Sequence, residues 1–117
     1  MGRLTTHILD TAHGKPAAGV TIQLYRIDEG SRMLLTQRLS NADGRCDQPL
    51  LEGDAFRAGQ YELVFGMASY FAGLGVALTD PPFVGEVVLR FGIATPEQHY
   101  HVPLLASPWS YSTYRGS

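Results

Sequence analysis

The histidines, two of the arginines and the carboxyl-terminal stretch are the parts of this chain whose chemistry and spacing could build a site. His99 and His101 stand two apart in HYHVPLL, so on a strand they share a face. His7 lies in the early β-prone run LTTHIL, on the face shared with Thr5 and Leu9. Imidazole titrates near neutrality, so one histidine can take a proton from water while another gives one to a leaving nitrogen. The same pair spacing would also supply half of a metal site, and it equally suits histidines that line a polar sheet surface. His13 falls in the turn AHGKPA and reads as solvated.

Arg45 follows the turn Asn41-Ala42-Asp43-Gly44. Its guanidinium is either a solvated charge or a planar fork for a carboxylate, an imide or a delocalised anion. Arg115 has the same two readings. It sits in STYRGS, Ser112 to Ser117, which reads as the continuation of a strand and could bring a cation, a hydroxyl and a carboxylate close together. There is no Gly-rich phosphate loop, nucleophile elbow or zinc-protease helix motif. Cys46 is the single cysteine, which excludes an intramolecular disulfide and a Cys-rich metal site. Net charge is −2 with no dense run of Lys or Arg, so nucleic acid is not expected as a partner. No apolar run suits a signal peptide or a membrane span, so no membrane partner is expected and the cytoplasm is the expected compartment.

The elements that must hold these residues have a period of two. Val20, Ile22 and Leu24 alternate with Thr21, Gln23 and Tyr25. Tyr61, Leu63 and Phe65 repeat the pattern, as do Val87, Leu89 and Phe91. Turn chemistry falls between them, at 10–19, Asp28 to Ser31, Asn41 to Gly44, Asp80 to Pro82 and Ser107-Pro108. These signals predict about eight short strands and one helix, Ala68 to Leu74, stopped by Gly75. Hydrophobic content is 44% and charged content 17% over 117 residues, which fits one globular domain over 1–117. An all-β, antiparallel two-sheet sandwich is the expected fold. In Val102-Pro103-Leu104-Leu105 both faces are apolar, and Pro103 cannot donate to a ladder, so an edge or a bulge is expected there. Trp109, Tyr111 and Tyr114 make an aromatic last strand that needs cover, and a symmetric oligomer is the simplest source of it.

Four stretches carry a resemblance to a known family: LTTHILDTAHGKPAAGV, NADGR, SYFAGLG and HYHVPLLASPWSYSTYRGS. Over essentially its whole length the chain resembles the transthyretin-like 5-hydroxyisourate hydrolases, and the terminal YRGS is the most specific part of the likeness. The resemblance implies an eight-stranded sandwich with one short helix, assembled as a homotetramer, a dimer of dimers, with sites in a channel at the dimer–dimer interface. It implies His7, Arg45, His101 and Ser117 as catalytic residues. Tyr114, Arg115 and Gly116 would complete the substrate-binding wall, and His99 lies outside the core of the site. The implied substrate is 5-hydroxyisourate, opened by water at its C6 carbonyl to 2-oxo-4-hydroxy-4-carboxy-5-ureidoimidazoline, with no metal and no organic cofactor. Two other readings remain: a transthyretin-like carrier of an apolar aromatic ligand, and a plain β-sandwich interaction module.

Overall fold

The computed structural model describes residues 2–117. In chain order its strands are β1 (Arg3–Asp10), β2 (Lys15–Pro16), β3 (Thr21–Asp28), β4 (Ser31–Leu39), β5 (Leu51–Glu52), β6 (Gly59–Phe65), β7 (Val87–Ile93), β8 (Tyr100–Ala106) and β9 (Tyr111–Thr113). One helix, α1 (Met67–Gly73), lies between β6 and β7. One sheet has the order β2-β1-β8-β9 with β5 also on β1, and the other has the order β4-β3-β6-β7. The two-sheet sandwich with one short helix is the fold expected from the alternating pattern.

Alternation puts Leu4, Ile8, Val102 and Leu104 inward from the first sheet, against Ile22, Leu24, Leu63, Phe65 and Leu89 of the second. Each such buried side chain contributes about 1.5–3 kcal/mol relative to exposure. Helix α1 closes one side by burying Met67, Tyr70 and Phe71, and Gly75 after it takes the left-handed conformation (φ 82°) that the sequence predicts for a helix stop. No helix among the described residues is long and apolar enough to cross a membrane.

The structure adds detail that alternation does not contain. The second sheet is antiparallel throughout, but β1 and β8 run parallel, from Leu4 opposite Tyr100 to Asp10 opposite Ala106. A parallel pair requires a crossover, and here the chain crosses to the other sheet between the two strands. Nine strands occur among the described residues because β2 and β5, two residues each, also add to β1. The expected edge position of Pro103 needs correction, since β8 is an interior strand. The reason it tolerates proline lies in the register. Leu104, Leu105 and Ala106 pair with Thr113, Ser112 and Tyr111, and the same register resumes with His101 opposite Gly116. Pro103 falls in the gap between, on the side facing the terminal segment, where a donor would otherwise be needed. Its carbonyl is satisfied instead by the Thr113 hydroxyl at 2.7 Å.

Candidate functional site

The outer face of β1 and β8 carries the candidate chemistry. Inward residues of β1 are fully buried, while Thr5, His7 and Leu9 point the other way and are partly covered. Three short segments share the edge of β1 opposite β8. β5 holds Arg3 and Leu4, β2 holds Leu9 and Asp10, and Arg45 bridges to His7 between them. The turn that delivers Arg45 is closed by its own residues. The Asn41 side-chain oxygen accepts from the Asp43 and Arg45 amides at 2.9 and 3.1 Å, and the Ile8 amide donates to the Gly44 carbonyl at 2.8 Å. Gly44 is obligatory there: its φ is +74°, and a Cβ would stand 2.4 Å from the Ile8 carbonyl oxygen.

His101 is delivered by β8, directly opposite Thr5 on β1. The Thr5 hydroxyl lies 2.8 Å from His101 Nδ1. On the inner face the Thr6 hydroxyl donates to the Val102 carbonyl at 2.7 Å, which locks the same two strands together. On the other side the terminal segment pairs with β8: the Gly116 amide donates to the His101 carbonyl at 2.7 Å and the His101 amide to that of Gly116 at 3.2 Å. A Cβ on Gly116 would stand 3.2 Å from His101 Cβ and Cδ2, so the glycine allows the segment to lie against the imidazole. The terminal segment thus continues the pairing with β8 through Gly116, as the strand-like reading of STYRGS predicts.

Together these segments enclose an open cleft of about 440 Å³, lined by Arg3, Thr5, Thr6, Arg45, Cys46, Gln48, His99, His101 and Ser117. The size is that of a small-molecule site. Its electrostatics are positive. Burial, then the Arg45 charge, hold His7 below the ordinary histidine value of 6.5, against a smaller opposing pull from the backbone and carboxylate of Asp43. Burial, then Arg45 and His7, lower His101 in the same way. Both imidazoles are therefore neutral at pH 7 and able to accept a proton. Burial pushes the Cys46 thiol up, which leaves it protonated and weakly reactive. Among the described residues no carboxylate lies within salt-bridge distance of Arg45, so its guanidinium is available to an oxygen-rich ligand.

Of the residues singled out in the sequence, Arg45, His101 and Ser117 line the cleft and His7 stands beside it on the Arg45 bridge. Gly116 supports His101 through its backbone. Tyr114 and Arg115 are placed differently: they line a second groove of about 420 Å³ between β7 and β9. The Arg115 guanidinium is engaged there by Gln98 Oε1 at 3.1 Å and the His99 carbonyl at 3.0 Å, 4.2 Å above the Tyr100 ring. His13 is exposed, as the solvated reading expects, and it also has a partner. Its Nδ1 lies 2.6 Å from the buried Asp10 carboxylate. His99 precedes β8 yet does line the cleft, and no cluster of three or more His, Cys, Asp or Glu side chains suited to a metal joins it among the described residues. Sequence reasoning passed over Thr5 and Gln48; alternation had already put Thr5 on the His7 face.

The chain matches the family model "HIUase/Transthyretin family" over residues 4–116. It is 58% identical to a 5-hydroxyisourate hydrolase of Pseudomonas aeruginosa over 117 residues, covering all of this chain and 93% of that one. An (S)-allantoin synthase crystal structure superposes with a TM-score of 0.94 at 47% identity; the match covers 99% of this chain but spans only 44% of that longer one. Sea bream transthyretin, in a complex with thyroxine, superposes with a TM-score of 0.85 at 29% identity, covering 97% of this chain and 94% of the other. With the sandwich, the match along its length and the relatives in agreement, the chain belongs to the HIUase/transthyretin family.

Proposed function

We propose that this chain hydrolyses 5-hydroxyisourate, opening the six-membered ring at the C6 carbonyl to give 2-oxo-4-hydroxy-4-carboxy-5-ureidoimidazoline. The observation that carries the proposal is the meeting of His101 and Arg45 on one cleft, with His7 beside it on the Arg45 bridge: both imidazoles are held below their ordinary value, and among the described residues Arg45 has no carboxylate within salt-bridge distance. The relatives' name supplies the substrate. In the proposed reaction His7 and His101 flank a water, and one of them removes its proton as the oxygen attacks C6. Such a base contributes about 100- to 10,000-fold. Arg45 grips the ring oxygens or the developing oxyanion, a contribution of about 3 kcal/mol where the donor is well placed. The second imidazole returns a proton to the departing ring nitrogen, and Ser117 orients the water or a histidine.

We further propose that the working form is a homotetramer, a dimer of dimers, acting in the cytoplasm. Exposed Phe83, Val88, Trp109, Tyr111 and Tyr114 support an assembly that covers them. A carrier of apolar ligands is less well supported, because the cleft lining is dominated by Arg, Thr, Gln and His side chains. The test is an ultraviolet time course in which urate oxidase generates 5-hydroxyisourate in the cuvette and catalytic amounts of this protein are added. Loss of the intermediate should accelerate in proportion to protein. An unchanged decay, from a folded sample with its terminus intact, would overturn the hydrolase reading and favour the carrier.

A further inference from the structure

We propose that Thr5 is a positioning residue for His101: its hydroxyl fixes the imidazole's orientation and leaves Nε2 as the nitrogen that exchanges protons with substrate and water. The inference rests on the hydrolase reading for its kinetic consequence, but the geometry stands by itself. Thr5 and His101 are direct partners in the β1–β8 register, and their side chains meet at 2.8 Å between Oγ1 and Nδ1. Gly116 lies against the opposite, Cδ2 edge of the ring, where an added Cβ would stand 3.2 Å from the imidazole and press on it. The imidazole is therefore held at both sides of its base, by β1 on one flank and by the terminal segment on the other. Its far end, which carries Nε2, is the part left for chemistry.

A hydroxyl suits this post better than a carboxylate would. It can donate to a bare Nδ1 or accept from Nδ1–H, so it keeps its bond in either tautomer and when the ring is protonated. The tautomer of an imidazole is set by the bond its other nitrogen makes. A carboxylate would hold the imidazolium by charge and raise the proton affinity of a ring that burial, then Arg45 and His7, keep neutral. Thr5 thus lets His101 alternate between taking and giving a proton without turning. Its backbone is immobilised in the ladder, and the adjacent Thr6–Val102 bond holds the two strands in register.

The experiment compares the intact protein with Thr5→Val, which keeps the β-branched shape, and Thr5→Ser, which keeps the hydroxyl. Steady-state kinetics on enzymatically generated 5-hydroxyisourate should show kcat reduced about 10- to 100-fold in Thr5→Val, the range seen when an orienting partner is removed. KM should stay within about twofold, and Thr5→Ser should recover most of kcat. In parallel, nitrogen-15 spectra of the histidine rings, assigned with His101→Ala, should show altered Nδ1 and Nε2 signals for His101 in Thr5→Val without substrate. This second readout needs no turnover, so it judges the Thr5–His101 coupling even if the wild-type protein proves inactive on 5-hydroxyisourate. Unchanged ring signals in folded Thr5→Val would overturn the proposal. So would a rise in KM at constant kcat, which would make Thr5 a substrate contact instead.

Discussion

Strand β1 carries two histidine clusters, one near each end, and they treat imidazole in opposite ways. At Thr5 and His7 the outer face meets His101 and Arg45, and both imidazoles are held below their ordinary value by burial and positive charge. At Asp10 the inner face carries a buried carboxylate that accepts from His13 Nδ1 at 2.6 Å, from the His13 amide at 3.0 Å and from the Tyr70 hydroxyl at 2.8 Å. Burial pushes the Asp10 carboxyl up, but the bonds from Tyr70 and His13 together hold it below its ordinary value. Tyr70 is raised in turn, first by burial and then by the Asp10 bond and charge. The second cluster uses a histidine to tie a turn and a helix to the strand end. The first surrounds its histidines with burial and the Arg45 charge, which outweigh the pull of Asp43 on His7 and keep both rings neutral and free to exchange protons. The contrast separates residues placed for chemistry from residues placed for the fold.

The largest effect should come from breaking the first cluster. His101→Ala should lower kcat/KM on 5-hydroxyisourate by about 100- to 10,000-fold. The half-exposed position predicts a change in unfolding free energy of less than about 1 kcal/mol, and the assembly should remain intact. Full activity in a folded His101→Ala protein would remove the histidine from the reaction. The second cluster should behave in the reverse way. Asp10→Ala strands the Tyr70 hydroxyl and the His13 ring without their acceptor, which should cost about 2–4 kcal/mol in chemical denaturation. Activity per folded molecule should change far less than it does in His101→Ala. A catalytic loss without a stability loss would mean that the two clusters are not separate devices.

Proton linkage sharpens the same comparison. His7 and His101 have folded values below 6.5, so kcat/KM should be level above pH 6.5 and fall as the pH drops through the folded values beneath it. Their contribution to stability has the same sign, because the fold favours the neutral ring. It is present above 6.5 and lost as the pH falls through the folded values. Asp10, with a value lowered from 3.8, contributes stability above 3.8 that is lost as the pH falls through its folded value, at still lower pH. Activity should therefore fail at a pH where circular dichroism still reports a fold. Coincident loss of both would show that acid acts on this protein through unfolding alone.

Much of this arrangement is legible in the sequence, and the reasons for the exceptions are physical. Strict alternation in Val20–Leu24, and a looser one in Tyr61–Phe65, locates inward and outward faces, because the strand period is two. The same rule puts Thr5 and His7 together. What alternation cannot carry is the identity of a strand's partner. The β1–β8 pairing joins residues about a hundred positions apart and runs parallel, so the meeting of Thr5 and His101 is invisible until the sheet order is known. The two-residue strands β2 and β5 are too short for any period to show. The polar turn shows His13 as exposed, which it is, but not its bond to Asp10, a buried carboxylate that also accepts from Tyr70, sixty positions further along the chain. The residues alone leave Arg45 between a solvated charge and an anion fork; the catalytic roles of Arg45 and Ser117 come from the family resemblance, since a cation after a turn and a terminal serine have many uses.

The smallest expected effect concerns Arg115, which shares the terminal segment with Gly116 but faces the other way. Its guanidinium ties the terminal segment to Gln98 and to the His99 carbonyl and rests on the Tyr100 ring. The Tyr100 hydroxyl in turn accepts from the Ala94 and Thr95 amides at 3.2 and 3.1 Å. One side chain therefore links the loop before β8 to the segment that braces His101. Being exposed, the contact should be worth about 1 kcal/mol in Arg115→Met. Its kinetic signature is a fall in kcat of about tenfold or less with KM unchanged, because a loosened terminal segment misplaces His101 and Ser117 without removing either. Arg115→Lys keeps the charge but not the fork, so it should recover only part of kcat. A substrate-binding arginine would instead raise KM in Arg115→Met. That result would mean that Arg115 leaves the β7–β9 groove when the site is occupied, and the division between the reacting face and the bracing face of the terminal segment would fail at this residue.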